Sequence, residues 1–165
     1  MLEETQLCLE AYIRQKFEIQ KQDIRSYSPL TLAYIGDGIY ELVIRTVVVG
    51  KGNKQVNKLH REASRYVKAQ AQSAMMDRIG PMLTDKEADI YRRGRNAKSF
   101  TTAKNASVND YRRATGFEAL MGYLYLCGEI PRIIELVKEA VDHYTPNERA
   151  GTETRNLYEE TLAKE

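Results

Sequence analysis

Two short stretches of the sequence place acidic side chains beside glycines in otherwise apolar surroundings. The first, LAYIGDGIYE at positions 32–41, carries Asp37 and Glu41 one helical turn apart, which puts both on one helix face. The second, TGFEALMGYLYL at positions 115–126, carries Glu118 as its only charged residue. Because glycine has no Cβ, two helix backbones can approach closely where it occurs. The glycines beside Asp37 and Glu118 therefore predict that these two carboxylates meet.

Two carboxylates at short range in a partly desolvated place repel each other, and one of them would normally take up a proton. A divalent cation held by both removes that conflict. Oxygen ligands without a nearby His or Cys suit Mg²⁺, for which Mn²⁺ can substitute. Asp37 and Glu118 are thus the candidate metal ligands and catalytic residues. Glu41 is a third candidate ligand. It could instead hold the metal ligands in place without touching the metal, or form an ion pair with Arg45 one turn further along the helix. Of these alternatives we favour the ion pair.

Each acidic residue also has a simpler interpretation. A lone aspartate in an amphipathic helix usually faces solvent, and a lone glutamate usually forms a salt bridge. Gly36 and Gly38 would then serve only tight helix packing. The pairing of an acid with a glycine on two separate apolar helices favours the metal site over these interpretations.

A basic stretch lies between the two acidic motifs. Residues 90–109 contain no acid and five Arg or Lys residues. Guanidinium, ammonium, amide and hydroxyl groups are what a phosphodiester backbone binds, although a merely solvated loop has the same composition. With one aromatic residue, Phe100, the stretch favours a duplex backbone over stacked single-stranded bases. The candidate residues for binding a nucleic-acid backbone are Arg92, Arg93, Arg95, Asn96, Lys98, Thr101, Thr102, Lys104, Arg112 and Arg113.

The composition fits one globular domain. The chain has 165 residues, of which 42% are hydrophobic and 29% charged, and its net charge is +2. Two cysteines far apart in sequence indicate neither a disulfide framework nor a thiolate metal site. No apolar run approaches the ~20 residues that span a bilayer, and the N-terminus lacks the basic start of a secretory signal. We expect a cytoplasmic protein that does not associate with membranes.

Apolar residues recur at helical spacing along most of the chain, and signals for hairpins are nearly absent. The fold class is therefore all-α, with an N-terminal helical segment at 1–27, a catalytic domain at 28–144 and a polar tail at 145–165. Helices are predicted over about residues 3–22, 28–49, 54–79, 84–94, 107–127 and 131–141, with a loop at 94–106. The tyrosines predicted to lie in the core are Tyr34, Tyr40, Tyr123 and Tyr125. His60 and His143 lack metal-ligand spacing and are expected at the surface or in packing.

The motif LAYIGDGIYE resembles the signature of ribonuclease III endonuclease domains. Three further stretches accompany it: LHREASRYVKAQAQS at 59–73, RRGRNAKSFTTAKN at 92–105 and YRRATGFEALMGYLYL at 111–126. Together the four stretches resemble the compact subfamily called mini-ribonuclease III. The resemblance covers about residues 28–141.

This resemblance implies an all-helical homodimer that cleaves double-stranded RNA, without an appended double-stranded-RNA-binding domain. It also implies maturation of the large-subunit (23S) ribosomal RNA precursor, for which a ribosomal protein is a further candidate partner. Together with the paired carboxylates, it leads to the hypothesis of Mg²⁺-dependent hydrolysis to 5′-phosphate products. By position, Asp37 and Glu118 match the catalytic acids of the family. The longer ribonuclease III enzymes carry further acids where this chain has Leu30, Ala33 and Thr115, so water and RNA phosphate oxygens would have to complete the metal coordination.

Two other functions stay open at this point. A non-catalytic helical RNA-binding module acting in ribosome assembly explains the basic stretch equally well, but it gives no reason for a charge at Glu118. A metal-dependent phosphohydrolase acting on nucleotides usually carries His–Asp clusters, which this sequence lacks.

Overall fold

A computed structural model of the chain describes residues 8–98 and 107–146. Every regular element in these two stretches is helical, which confirms the all-α fold class. The α-helices are α1 (Leu9–Lys16), α2 (Pro29–Gly50), α3 (Val56–Val67), α4 (Ala69–Ile79), α5 (Asp85–Asn96), α6 (Val108–Leu126) and α7 (Ile130–Asp142). Single turns of 3₁₀ helix occur at Ile24–Ser26 and Gly80–Met82. None of the helices in the described stretches is long and apolar enough to cross a bilayer.

The starts of the site-bearing helices follow from capping side chains. Ser28 caps α2 by accepting a hydrogen bond from a backbone N–H in its first turn. Thr84 and Glu87 form a complete capping box at the start of α5. Ser107 accepts from a backbone N–H in the first turn of α6. These three predicted helix starts are confirmed.

Helix α6 occupies the centre of the fold, with α2, α4, α5 and α7 packed against it. Phe117, Leu120 and Met121 on α6 have no solvent exposure. The ring of Tyr40 on α2 meets the ring of Phe117 edge-on, with 4.8 Å between the ring centroids. A functional group on α6 is therefore held by a rigid core on several sides.

The prediction of a single helix over residues 54–79 is wrong. The chain breaks at Lys68, whose extended ψ of 147° ends α3 and starts α4. The break changes which residues of α4 face inward: Gln70 and Ala74 are exposed, although the uninterrupted helical pattern predicts them on the buried face. The residues of α4 that are buried instead are Ala71, Gln72, Ser73, Met75, Met76 and Ile79.

Three smaller expectations need correction. Helix α1 is short, ending at Lys16 rather than near residue 22. Helix α5 continues to Asn96, so part of the basic stretch predicted as a loop is helical. Tyr34 is 84% exposed, because it lies on the outer face of α2, whereas Tyr40 and Tyr125 are buried as predicted. His60 and His143 are exposed, as expected.

Helix α5 is fixed to α7 by a partly buried ion pair. Arg132 donates to both carboxylate oxygens of Glu87 at 2.9 Å and to the carbonyl oxygen of Met82 at 2.8 Å. A bidentate arginine of this kind restrains orientation as well as distance. The start of α5 is thereby anchored, which leaves its basic C-terminal end in a defined place.

Candidate active site

Helices α2 and α6 cross with their backbones in contact. A Cβ at Gly36 would lie 1.7 Å from the carbonyl oxygen of Glu118, and a Cβ at Gly122 would lie 1.9 Å from a carbonyl oxygen of α2. Both positions therefore require glycine for this crossing. Gly38 has no such role, because nothing lies within 4 Å of the place its Cβ would take. The close approach predicted from the glycines is present, but only Gly36 of the two near Asp37 contributes to it.

The crossing brings the two predicted acids into electrostatic contact. Glu118 is partly buried, and loss of hydration followed by the charge of Asp37 raises its pKa to about 7. Asp37 is more exposed, and its pKa is also raised, first by partial desolvation and then by the charge of Glu41. Like charges held this close favour either protonation or a bound cation.

The donor chemistry of this pair suits a hard divalent cation. Asp37 and Glu118 offer only carboxylate oxygens, which Mg²⁺ and Mn²⁺ prefer. On α4, the buried amide oxygen of Gln72 has no hydrogen-bond partner. In the described part of the chain, no group of three His, Cys, Asp or Glu side chains converges. Asp37 and Glu118 therefore stay the candidate ligands predicted from the sequence, with no third acid beside them in the described residues.

Glu41 makes the ion pair that we favoured from the sequence. Its carboxylate accepts from Arg45 at 3.4 Å, one helical turn further along α2. The pair is largely exposed, so it contributes little to stability. Direct metal ligation by Glu41 stays a prediction.

The basic residues divide into paired and unpaired side chains. Arg92 pairs with Asp89 within α5, and Arg113 pairs with Asp77 of α4 at 2.6 Å. The guanidinium of Arg95 approaches the amide oxygen of Asn96 at 3.4 Å. The basic residues of the predicted set that are exposed and form no ion pair with the described part of the chain are Arg93, Arg95, Lys98 and Arg112.

A second glycine crossing places this basic end of α5 against the acid-bearing helix. A Cβ at Gly94 would lie 3.0 Å from the Cα of Gly116 and 2.7 Å from the Cβ of Ala119. Gly116 is two residues before Glu118, so the basic end of α5 and the acidic pair belong to one packed unit. The predicted RNA-binding residues Thr101, Thr102 and Lys104 lie outside the described residues.

Two residues at the site were not singled out as functional from the sequence. Gln72 on α4 is 1% exposed, and it lowers the pKa of Glu118 against the larger effect of burial. Tyr40 was expected only to fill the core, yet its hydroxyl donates to the carbonyl oxygen of Tyr66 at 2.7 Å. The one sequence signal is the uncharged run AQAQSAMM at 69–76, which indicates burial but no specific contact.

An all-helical domain with acids paired at a glycine crossing is the architecture expected for a ribonuclease III domain, and residues 30–129 match the Ribonuclease III domain family. The chain belongs to this family of endoribonucleases, as the motifs predicted. More particularly, it is 48% identical over 128 residues to Mini-ribonuclease 3 of Clostridium tetani, covering 77% of this chain and 85% of that protein. It is 51% identical over 123 residues to Mini-ribonuclease 3 of Thermoanaerobacter sp., covering 74% and 87%. A crystal structure of a Fusobacterium nucleatum protein, 30% identical, matches with a TM-score of 0.66 over 73% of this chain and 97% of that one.

The raised pKa of Glu118 predicts that metal binding depends on pH. The protonated form of Glu118 gains population as the pH falls through about 7, and that proton must leave before the carboxylate can bind a cation. Mg²⁺ affinity should therefore fall by up to roughly tenfold for each pH unit below this range. Isothermal titration of the RNA-free protein at pH 6, 7 and 8, in buffers of different ionisation enthalpy, measures both the affinity and the protons released. Constant affinity without proton release would contradict the prediction.

Proposed function

We propose that this protein is a divalent-metal-dependent endoribonuclease that cleaves double-stranded RNA, with Asp37 and Glu118 as its catalytic residues. The observation that carries the proposal is the α2–α6 crossing, where burial and the charge of Asp37 raise the pKa of Glu118 to about 7. Such an acidic pair destabilises the folded chain unless something compensates for it. A pair of this kind is typical of a functional site rather than of packing.

The carboxylates of Asp37 and Glu118 would hold Mg²⁺, or Mn²⁺ in its place. When bound, the ion supplies charge neutralisation at the phosphoryl oxygens and activation of the attacking water. The contribution of the chain itself is positional: α2 and α6 fix the two carboxylates, and the basic end of α5 orients the sugar–phosphate backbone. Hydrolysis with in-line attack would leave a 5′-phosphate and a 3′-hydroxyl.

The decisive experiment uses three labelled substrates: duplex RNA, single-stranded RNA and a nucleoside triphosphate. We expect cleavage of the duplex in Mg²⁺ or Mn²⁺, none in EDTA, and little or no reaction with the other two. Binding of the duplex without cleavage in any metal would favour the alternative, a non-catalytic helical RNA-binding module in ribosome assembly. Turnover of the free nucleotide alone would favour a phosphohydrolase.

The biological substrate and the assembly are further parts of the proposal. The resemblance to mini-ribonuclease III supports the precursor of the large-subunit (23S) ribosomal RNA as the substrate in the cytoplasm, with a ribosomal protein as a candidate partner. A homodimer is supported by an apolar groove of about 770 Å³ between α2 and α7, lined in part by Ile39, Leu42, Val47 and Ile134. Sedimentation equilibrium of the full chain tests the dimer, because the mass of a single chain would contradict it.

The unpaired basic side chains give a separate prediction about RNA affinity. Arg93→Ala and Lys98→Ala should each weaken duplex binding and lower the slope of log K against log salt by about one, because each change removes a phosphate contact. The matched control is Arg25→Ala, since Arg25 is exposed, lies away from the α2–α7 groove and already pairs with Asp23 at 2.6 Å. Affinity measured between low and high salt in the metal-free protein checks the slopes. Equal affinity for all four proteins would exclude the end of α5 from the RNA contact.

A further inference from the structure

A second basic surface lies where the end of α2 meets α3. Residues 51–68 contain six Lys or Arg residues and a single acid. A pocket of about 290 Å³ opens at this junction, and the cations that line it are Lys51, Lys58, Arg61 and Arg65. Like charges gathered around one small pocket produce a positive potential there. This basic pocket therefore favours an anionic occupant.

The described part of the chain does not neutralise the basic pocket. Glu62 is the one acid in its lining, and its carboxylate already lies 2.6 Å from the ammonium of Lys54. The four lining cations are exposed and form no ion pair with the described residues. Three of them, Lys58, Arg61 and Arg65, recur at helical spacing and so share one face of α3. Their charge is thus available to a ligand.

The chain leaves the described structure beside this pocket. Just after α7, the ring of Tyr144 meets the ring of Tyr66 edge-on, with 6.1 Å between the ring centroids. Tyr66 also lines the basic pocket, and its carbonyl oxygen accepts from the hydroxyl of Tyr40 at 2.7 Å. Pro146 is the last described residue and lies within about 7 Å of Tyr144, because two residues span no more than that. The segment 147–165 therefore starts next to the basic pocket.

The segment that begins there has the opposite charge. Residues 147–165 contain five Glu and three Arg or Lys residues, which gives a net charge of −2, whereas the six cations and one acid of residues 51–68 give +5. The chain from Pro146 to Glu153 can span up to roughly 25 Å, so acids of the segment are able to reach a pocket whose lining contacts Tyr144. A ligand on the same chain has an effective concentration on the order of millimolar when its connection is short, so even a weak contact is populated.

We propose that residues 147–165 are an intramolecular ligand of the basic pocket, in which glutamate carboxylates of the segment pair with the four lining cations. The proposal stands on a pocket without a counter-charge of its own and on the Tyr66–Tyr144 contact, which starts the acidic segment at the pocket. Because these ion pairs are exposed, docking should weaken as salt screens them. The docked segment would exclude another polyanion from the pocket. Under the proposed function that polyanion is duplex RNA, and only this consequence rests on the proposed function.

Zero-length cross-linking tests the docking directly. A carbodiimide activates a glutamate carboxylate, and a lysine amine in contact with it then forms an amide bond, while the water lost converts the carbodiimide to a urea. The reaction is run on an equilibrated mixture of ¹⁵N-labelled and unlabelled whole chains, without RNA or metal, and the linked peptides are identified by mass spectrometry. We expect links within single chains from Glu153, Glu159 or Glu160 to the pocket lysines Lys51 and Lys58. These links should be lost at about 1 M salt, where the Debye length is about 3 Å.

The reference for chance encounters is Lys86, which is exposed on α5 and does not line the pocket. The proposal is overturned if Lys51 and Lys58 form no links to the segment, or form them no more often than Lys86 does. Links that join labelled to unlabelled chains would also overturn it, because the ligand would then be the segment of a second copy.

A second measurement tests the competition with RNA. One variant of the whole chain combines Glu153→Gln, Glu159→Gln and Glu160→Gln, and its matched control combines Arg149→Gln and Arg155→Gln. We expect the first variant to bind duplex RNA in EDTA up to about tenfold more tightly at low salt, which is the gain for a pocket that the segment occupies about 90% of the time. The control should bind no more tightly than the wild type, because its segment is more acidic.

The gain must depend on the basic pocket. Adding Lys58→Ala and Arg61→Ala to the first variant and to the wild type should remove the difference between them, and a difference of the same size would overturn docking at this pocket. Unchanged RNA affinity in the first variant, with the cross-links present, contradicts only the competition. Failure of every variant to bind duplex RNA contradicts the proposed function instead, and the cross-links still decide the docking.

Discussion

Glu118→Gln should abolish cleavage of duplex RNA while the protein remains folded and still binds the duplex. The amide keeps the shape of the side chain but supplies no charge to hold a cation. We expect a loss of at least roughly a thousandfold in the cleavage rate, equivalent to about 4 kcal/mol of transition-state stabilisation. Asp37→Asn should have the same effect. Single-turnover cleavage with saturating protein, together with duplex binding in EDTA, separates lost chemistry from lost affinity.

Although Glu118→Gln should lose activity, it should gain stability against unfolding. The pKa of Glu118 is about 7 in the folded chain against an ordinary 4.5, so the folded state binds its proton more tightly than the unfolded state does. Stability of the metal-free protein therefore falls as the pH rises from about 4.5 to 7 and is level above that range. At pH 8 the Gln variant avoids this cost and should gain up to about 3 kcal/mol. Thermal unfolding in EDTA at pH 5 and pH 8 measures the gain, which should be much smaller at pH 5.

Glu41→Gln is the matched control for these two variants. It removes a carboxylate from the same face of α2, but one that pairs with Arg45. We expect it to keep most of the activity. Full activity in Asp37→Asn or in Glu118→Gln would contradict the catalytic assignment, and a complete loss in Glu41→Gln would move Glu41 into the metal site.

The second large effect is a loss of stability in Gly36→Ala. An alanine there would put its Cβ 1.7 Å from the carbonyl oxygen of Glu118, and that neighbour is a backbone atom that cannot rotate away. Helices α2 and α6 would have to separate, with a loss of at least about 3 kcal/mol in the free energy of unfolding. For a chain of this size, that lowers the melting temperature by roughly 10 °C.

Gly38→Ala provides the control two residues further along the same helix. Nothing lies within 4 Å of the added Cβ, and alanine favours a helix over glycine by up to about 1 kcal/mol. The two substitutions on either side of Asp37 should therefore change stability with opposite signs. Thermal and denaturant unfolding of both proteins decides the matter, and similar destabilisation in the two would be inconsistent with the crossing described above.

Much of this architecture follows from local chemistry in the sequence. Caps at Ser28, Thr84 and Ser107 fix where three helices start, because each side chain supplies a hydrogen bond that the first turn lacks. The α2–α6 approach was predictable because a glycine in an apolar helix costs helix stability and leaves room for a second backbone. These features depend on residues close in sequence or on the absence of a side chain.

The remaining features depend on tertiary contacts that no local pattern encodes. The break at Lys68 follows neither proline nor glycine, and the carbonyl groups it leaves over are satisfied from α2 and from α4. The burial of Gln72 therefore became recognisable only once this break was known. Tyr34 is expected in the core but is exposed, because the apolar surface of α2 extends beyond the face that α6 covers.

If the proposed function holds, the contact between Gly94 and Gly116 sets the distance between the basic side chains that would bind an RNA strand and the carboxylates that would cut it. Because the two backbones touch without intervening side chains, the span from the arginines of α5 to Glu118 is fixed by main-chain geometry. Substituting these arginines should then alter how long an RNA stays bound without changing which phosphodiester bond is cut. Widening this contact, by contrast, is the change expected to shift the cut along the duplex.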